Sequence, residues 1–179
     1  MKSQVQIKRV HSQDWERCGK DVLEIEEIFD PNLRETPKSI KAFFDNPKAI
    51  VLVAESEANI VGCLYSASIE SNLLLETPNP AECTTFENVL KEDENYGRNN
   101  TLYVTSFGVL PKYEERGIGT RLYKELIEIA RESGYKFVTS HNEPGTSCHI
   151  AEKLGERKIK LYKNWYETGE DYWYMKLEL

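Results

Sequence analysis

The sequence predicts a mixed α/β sandwich, and three observations lead there. Strand-type and helix-type runs alternate along the chain, which is the pattern of a sheet covered by helices. Residues 102–129, LYVTSFGVLPKYEERGIGTRLYKELIEI, read in order as a buried strand, a glycine-bearing turn and an amphipathic helix. In the tail, Trp173, Met175, Leu177 and Leu179 alternate onto one face behind a turn at Gly169, as in a closing hairpin.

Each element follows from its residues. Residues 7–10 form a first strand, and Asp14 after it is a preferred type of residue at a helix N-cap. A second helix begins near Pro37, where Glu35 is placed to cap it. Residues 49–55 and 60–70 are two strands around a short turn at Glu57, Ala58 and Asn59. Residues 71–100 are irregular, with Pro78, Pro80, a charged patch at 91–94 and a short helix over 84–91. A loop of that length in a compact domain is functional or mobile, so a substrate-side lid and a plain surface excursion both stay open. The strand over 102–110 is rich in β-branched and aromatic residues and ends at Pro111. Ile118, Leu122, Leu126 and Ile129 then form one buried helical stripe. A further strand covers 136–140, and a helix ends over 151–155.

The turn Gly117-Ile118-Gly119 carries the chemistry. A helix that opens on glycines leaves backbone N–H groups unpaired at the positive end of its dipole, a site for phosphate or pyrophosphate. Glycine lets the backbone approach the ligand with no Cβ in the way. A dinucleotide fold wants GxGxxG, but Leu122 stands at the third glycine, and no GxxxxGK run is present.

Composition bounds the rest. A chain of 179 residues with 40% hydrophobic content predicts one domain, 1–179, with a substantial core. A net charge of −7 argues against nucleic acid as the main partner. The same charge suits cationic substrates, although it also serves solubility alone. Cys18, Cys63, Cys83 and Cys148 are scattered without metal-ligand spacing, so the expectation is free thiols, no metal and a reducing, cytoplasmic setting. Residues 1–6 are polar with no signal-peptide pattern, and no apolar run approaches a membrane span.

The run Val109-Leu110-Pro111, followed by Glu114-Glu115-Arg116-Gly117-Ile118-Gly119-Thr120, resembles motif A of the GNAT superfamily of N-acetyltransferases. Its pattern is Gln/Arg-x-x-Gly-x-Gly/Ala. Ile60-Val61-Gly62-Cys63-Leu64 resembles that family's third strand, and Ala151-Glu152-Lys153-Leu154-Gly155 its Tyr-Glu-Lys-Leu-Gly helix ending. The resemblance implies a twisted, mostly antiparallel sheet of about seven strands with helices on both faces. Its central parallel pair, 102–110 and 136–140, would splay apart. Acetyl-coenzyme A is the implied co-substrate. Glu115, Arg116, Gly117, Ile118, Gly119 and Thr120 would hold its pyrophosphate; Phe107, Gly108, Val109 and Asn142 would face its pantetheine. Glu114 replaces the usual Gln or Arg. A carboxylate facing pyrophosphate costs Coulomb energy, so Glu114 is expected to point into solvent.

The implied reaction is direct transfer of acetyl to a primary amine, which needs a base for the amine and benefits from an acid for the departing thiolate. The base candidates are Glu70, Tyr103, His141 and Glu35, each with a plain reading as a strand-end, core or capping residue. Relatives often carry the acid as a Tyr where Ala151 stands. Cys148, one turn earlier, is a poor substitute, with an ordinary thiol pKa of ~8.5. Another group, water, or His149 after a shift in alignment stay open. The strand over 102–110 and the tail over 164–172 also resemble protein N-terminal acetyltransferases, with Tyr103, Trp165 and Tyr166 on the acceptor side beside Glu35. The acceptor is expected to be a small cationic amine or amino compound. The alternatives are the N-terminal or lysine amine of a protein or peptide, or a degenerate acetyl-coenzyme A sensor without turnover. A homodimer through the C-terminal strands is compatible with the sequence, which does not decide it.

Overall fold

A computed structural model describes residues 5–68 and 99–179. Glu70, Cys83 and nearly all of the irregular stretch over 71–100 lie outside the described residues. The strands are β1 (Gln6–Val10), β2 (Ile50–Ser56), β3 (Asn59–Ser68), β4 (Thr101–Val109), β5 (Phe137–Asn142), β6 (Arg157–Tyr162) and β7 (Tyr172–Glu178). The helices are α1 (Trp15–Glu26), α2 (Pro37–Asp45), α3 (Ile118–Glu132) and α4 (Thr146–Lys153). The sheet has seven strands in the order β1-β2-β3-β4-β5-β7-β6. Every neighbouring pair is antiparallel except β4 with β5.

The layers follow from which residues each strand turns to each side. Ile50, Leu52, Val61 and Leu64 pack with Leu122 and Leu126 of α3. Val51, Val53, Cys63 and Tyr65 pack with Val22 and Ile25 of α1 and Phe43 of α2. With both faces covered, β2 is buried from Ile50 through Ala54, so its sequence reads as a continuous apolar run and not an alternating one. Full burial of each Leu or Ile on α3's inner stripe contributes about 1.5–3 kcal/mol.

Local signals hold with three adjustments. Glu57 (φ 52°) and Ala58 (φ 67°) make the β2–β3 turn in the left-handed region, as a two-residue hairpin requires even without glycine. Asp14 precedes α1, but its carboxylate turns back to accept from the His11 N–H (3.0 Å) and does not cap α1. Thr36, not Glu35, caps α2, its hydroxyl accepting from the Ser39 N–H at 3.1 Å. In the closing hairpin β7 lies inside, between β5 and β6. The edge strand β6 exposes Arg157, Lys158 and Lys160, charges that discourage pairing with another edge.

The sheet opens at its centre. Parallel pairing of β4 with β5 runs from Thr101–Phe137 to Val104–Ser140 and stops. On the other side of β4 the register jumps from Val104–Ser66 to Ser106–Tyr65. Thr105 is the extra residue of that bulge, which bends the strand. β5 meanwhile stays on β7 as far as Asn142–Trp173. A gap therefore widens between the ends of β4 and β5.

Candidate active site

One wall of the gap is backbone. The Leu110 N–H donates to Val61 O at 2.9 Å, toward β3. Alternation along the strand then turns the peptide groups of Val109 and Phe107 the other way, into the gap. Gly108 is in the wall for packing: a Cβ there would meet Phe29 Cζ at 2.9 Å.

Beyond β4 the chain reaches the glycine turn. The N–H groups of Glu115, Arg116, Gly117, Ile118, Gly119 and Thr120 have no hydrogen-bond acceptor among the described residues. They gather at the N-terminus of α3, a 15-residue helix. Gly117 sits at φ 72° with nothing within 4 Å of where its Cβ would be. That is an open, left-handed cradle that fits a pyrophosphate. Gly119 has a different reason to be glycine, since a Cβ there would come within 3.0 Å of Phe107 Cζ and 3.1 Å of Ile150 Cδ1. Read as a motif, both glycines have one role; the packing separates them. Glu114 is exposed. Arg116 is exposed too, folded over the Tyr113 ring (5.1 Å) and donating to Lys112 O at 3.0 Å.

The other wall is made of side chains. A cavity of about 290 Å³ joins Tyr103, Ser106 and Phe107 of β4, Ser140, His141 and Asn142 of β5, the loop before α2 with Glu35, and the β6–β7 loop with Trp165 and Tyr166. The Tyr103 hydroxyl lies 3.0 Å from His141 Nδ1. The His141 ring stacks on Trp165 at 4.2 Å and 12°, and its buried Nε2 has no partner among the described residues. Burial, with Lys160 adding to it, lowers the His141 pKa to about 3. The ring is neutral near pH 7, so it orients Tyr103 better than it takes up a proton. Trp165 is 5% exposed and packs against Tyr162 and Tyr172 as well. Tyr166 keeps a half-buried face on the cavity, at φ 49°, with Asn164 (φ 47°) and Glu167 (φ 60°) also left-handed. Three such residues in one loop are the kind of strain that collects at functional sites.

Glu35 accepts from Ser39 Oγ at 2.5 Å, and its N–H donates to Glu26 Oε1 at 2.8 Å. Sequence reasoning missed Glu26. It is 3% exposed and accepts from the Tyr65 hydroxyl and, at 3.5 Å, from Ser106 Oγ. Burial raises its carboxyl pKa. The signal was present, because Glu26 continues the buried stripe Cys18, Val22, Ile25 of α1, where a charged residue is out of place. Also missed was Glu156, whose carboxyl holds the Tyr123 hydroxyl and, at 2.6 Å, Ser140 Oγ. Nothing periodic marks it. Asn142 is 6% exposed, and its Nδ2 donates to that same Ser140 oxygen at 2.6 Å.

A sheet split at its parallel pair, with an anion cradle at the open end and a polar cavity across from it, defines the class. The chain belongs to the acetyltransferase (GNAT) family, whose profile matches residues 19–155. An N-alpha-acetyltransferase from Sulfurisphaera tokodaii is 30% identical over 82 residues, covering 43% of this chain and 48% of that protein. The match thus spans about half the length of that curated relative. The fold is similar to a mosquito arylalkylamine N-acetyltransferase like 5b (TM-score 0.77, 14% identity, 98% of this chain and 100% of that one). It is equally similar to a Drosophila melanogaster polyamine N-acetyltransferase (TM-score 0.77, 14% identity, 98% and 100%). At those identities the likeness is one of fold.

Proposed function

We propose that this protein is an acetyl-coenzyme A-dependent N-acetyltransferase whose acceptor is a small cationic amine or amino compound. One observation carries the reading: the open end of the β4–β5 gap and a carboxylate-bearing, aromatic-walled cavity of about 290 Å³ are the same space. Acetyl-coenzyme A, when bound, supplies an activated acetyl group. The chain's part is to hold and orient. The unpaired N–H groups of residues 115–120 bind phosphate oxygens. The gap-facing peptide groups of Phe107 and Val109 hold an amide chain and offer an N–H for oxyanion-type stabilisation. Asn142 donates its Nδ2 to Ser140 Oγ at 2.6 Å, which fixes its amide beside the gap.

On the acceptor side Glu35 and the faces of Tyr103 and Tyr166 suit an ammonium group through charge and cation–π attraction. Tyr103, oriented by His141, is the polar contact to the reacting amine. A second reading, the N-terminal amine of a polypeptide, is favoured by the N-alpha-acetyltransferase relative. A thiol-release assay with acetyl-coenzyme A against polyamines, amino acids, aminoglycosides and short peptides with free N-termini tests both, with calorimetric cofactor binding beside it. Turnover limited to small cationic amines supports the first reading and turnover limited to peptides the second. Tight binding without turnover would make the protein a sensor.

A further inference from the structure

One buried carboxyl has no part in the reading above. Glu26, 3% exposed, is the last residue of α1, and donors from three other segments converge on it. Its Oε1 accepts from the Glu35 N–H at 2.8 Å. Its Oε2 accepts from the Tyr65 hydroxyl of β3 and, at a longer 3.5 Å, from Ser106 Oγ of β4. No Lys, Arg or His among the described residues pairs with it. A buried acid without a counter-ion is costly, and an apolar side chain would complete the inner stripe of α1 without that cost. What an acid adds is a rigid pair of acceptor oxygens that take several donors at once.

The two oxygens serve different parts of the site. Tyr65 and Ser106 are cross-strand partners, the first pair beyond the Thr105 bulge, so Oε2 is fixed to the sheet where it bends. Glu35 lines the cavity, just ahead of the Thr36 cap of α2. The loop that carries it, residues 27–36, is clipped together from within. Arg34 donates from Nε to Phe29 O at 2.8 Å and from Nη2 to Glu27 O at 2.9 Å. Phe29 packs this loop onto Gly108 of β4, but apolar contact has no direction. The Glu35 N–H bond to Glu26 does have one, because a hydrogen bond weakens steeply when bent. A loop that is stiff within itself and tied at this point carries Glu35 at a fixed height over the sheet.

We propose that Glu26 is a positioning residue of the acceptor site, which acts through the Glu35 N–H to hold the Glu35 carboxylate where an ammonium group arrives, while Tyr65 keeps the Glu26 carboxyl still. The inference rests on the acetyltransferase reading above, with Glu35 as an acceptor contact. Glu26 touches no substrate and passes no proton. Its part is done by hydrogen bonds, so a neutral residue of the same shape and bonding serves as well as the acid does.

Glu26→Gln keeps the tie, since its amide offers an oxygen to the Glu35 N–H and an N–H to the Tyr65 oxygen. Glu26→Met keeps the volume and removes both bonds. The first readout needs no substrate: hydrogen exchange at the Glu35 amide, followed by NMR. It is expected to be slow in the wild type and in Glu26→Gln, and about tenfold faster in Glu26→Met. The second is steady-state kinetics with a charged amine. Glu26→Met should raise KM for the amine a few-fold, as Glu35→Gln does, with kcat and KM for acetyl-coenzyme A unchanged; Glu26→Gln should match the wild type. Adding Glu35→Gln to Glu26→Met should raise KM no further, because a contact already displaced is not lost twice. Tyr65→Phe, which leaves α1 intact and frees the other oxygen, should move the exchange rate and the amine KM in the same direction. A Glu26→Gln variant as impaired as Glu26→Met makes the charge and not the tie the working part, and overturns the proposal alone. So does additivity of the Glu26 and Glu35 substitutions, or a Glu26→Met variant that loses only Tm. A wild type that turns over no amine, with the exchange pattern as expected, overturns the acetyltransferase reading and the use assigned to the tie with it.

Discussion

The proposed donor half and the proposed acceptor half of the site are built from different materials. The donor half is backbone: the turned-out peptides of Phe107 and Val109 and the unpaired N–H row at the start of α3. The acceptor half is side chains from four separate stretches, with Glu35, Tyr103, His141 and Trp165 meeting across the fold. A backbone site needs only a local conformation, so a short motif can specify it. A side-chain site needs the whole sheet to bring its members together.

Two buried groups beside the site titrate in opposite senses, His141 in the acceptor half and Glu156 behind Ser140, and this is the largest effect expected. The ordinary His pKa is 6.5 and that of folded His141 is about 3, so between those values the unfolded chain binds more protons. Stability is therefore lost as pH falls through that window, by about 1.4 kcal/mol per pH unit for one proton. Glu156 runs the other way. Its carboxyl is raised from 4.5 to about 7, so the folded chain binds more protons in that interval and stability falls as pH rises through it. Denaturant unfolding across pH should show His141→Phe losing acid sensitivity and Glu156→Gln gaining stability relative to wild type at pH 8. Parallel shifts in the two variants would erase the contrast.

Next in size is Gly117→Asp. A carboxylate in the cradle opposes pyrophosphate by about 1–4 kcal/mol at 4 Å, between the dielectric limits of water and a protein surface. Calorimetry should show acetyl-coenzyme A affinity down roughly fivefold to nearly a thousandfold. Undiminished binding would sink the backbone-cradle description. Gly119→Ala should act on folding instead. Its Cβ would press on Phe107 and Ile150, an overpacking that costs about 1–3 kcal/mol and is read as a lower Tm.

On the acceptor half the effects should be smaller, because no single side chain makes the site. Tyr103→Phe removes one hydrogen bond to His141, worth about 0.5–1.5 kcal/mol. It should lower kcat/KM for the amine by about threefold to tenfold and leave cofactor binding alone. Glu35→Gln should raise KM for charged amines a few-fold, in keeping with the ~0.2–1 kcal/mol of a partly exposed ion pair. An equal change for uncharged amines would show that Glu35 only shapes the loop.

How much was legible follows the same division. The strand over 102–110 appears as Thr101–Val109 and the helix from Ile118 as Ile118–Glu132, because burial on a regular element leaves a period in the sequence. The left-handed turn that opens α3 was legible because only glycine takes φ 72° at no cost. Glu26 broke its helix's stripe and was readable in principle. Glu156 was not, since its partners Tyr123 and Ser140 are 33 and 16 residues away in sequence.

By itself, then, the sequence determined the elements, their order along the chain and the glycine turn that opens α3, all of which are properties of neighbouring residues. Only the tertiary structure decided that β7 lies inside β6, that Gly119 is small for Phe107's sake, that His141 stays neutral under Trp165, and that the Ser140 hydroxyl meets the buried Glu156 carboxyl where the sheet opens. Those facts depend on distance and on exclusion of water between segments far apart in the chain, and no local pattern of residues encodes either.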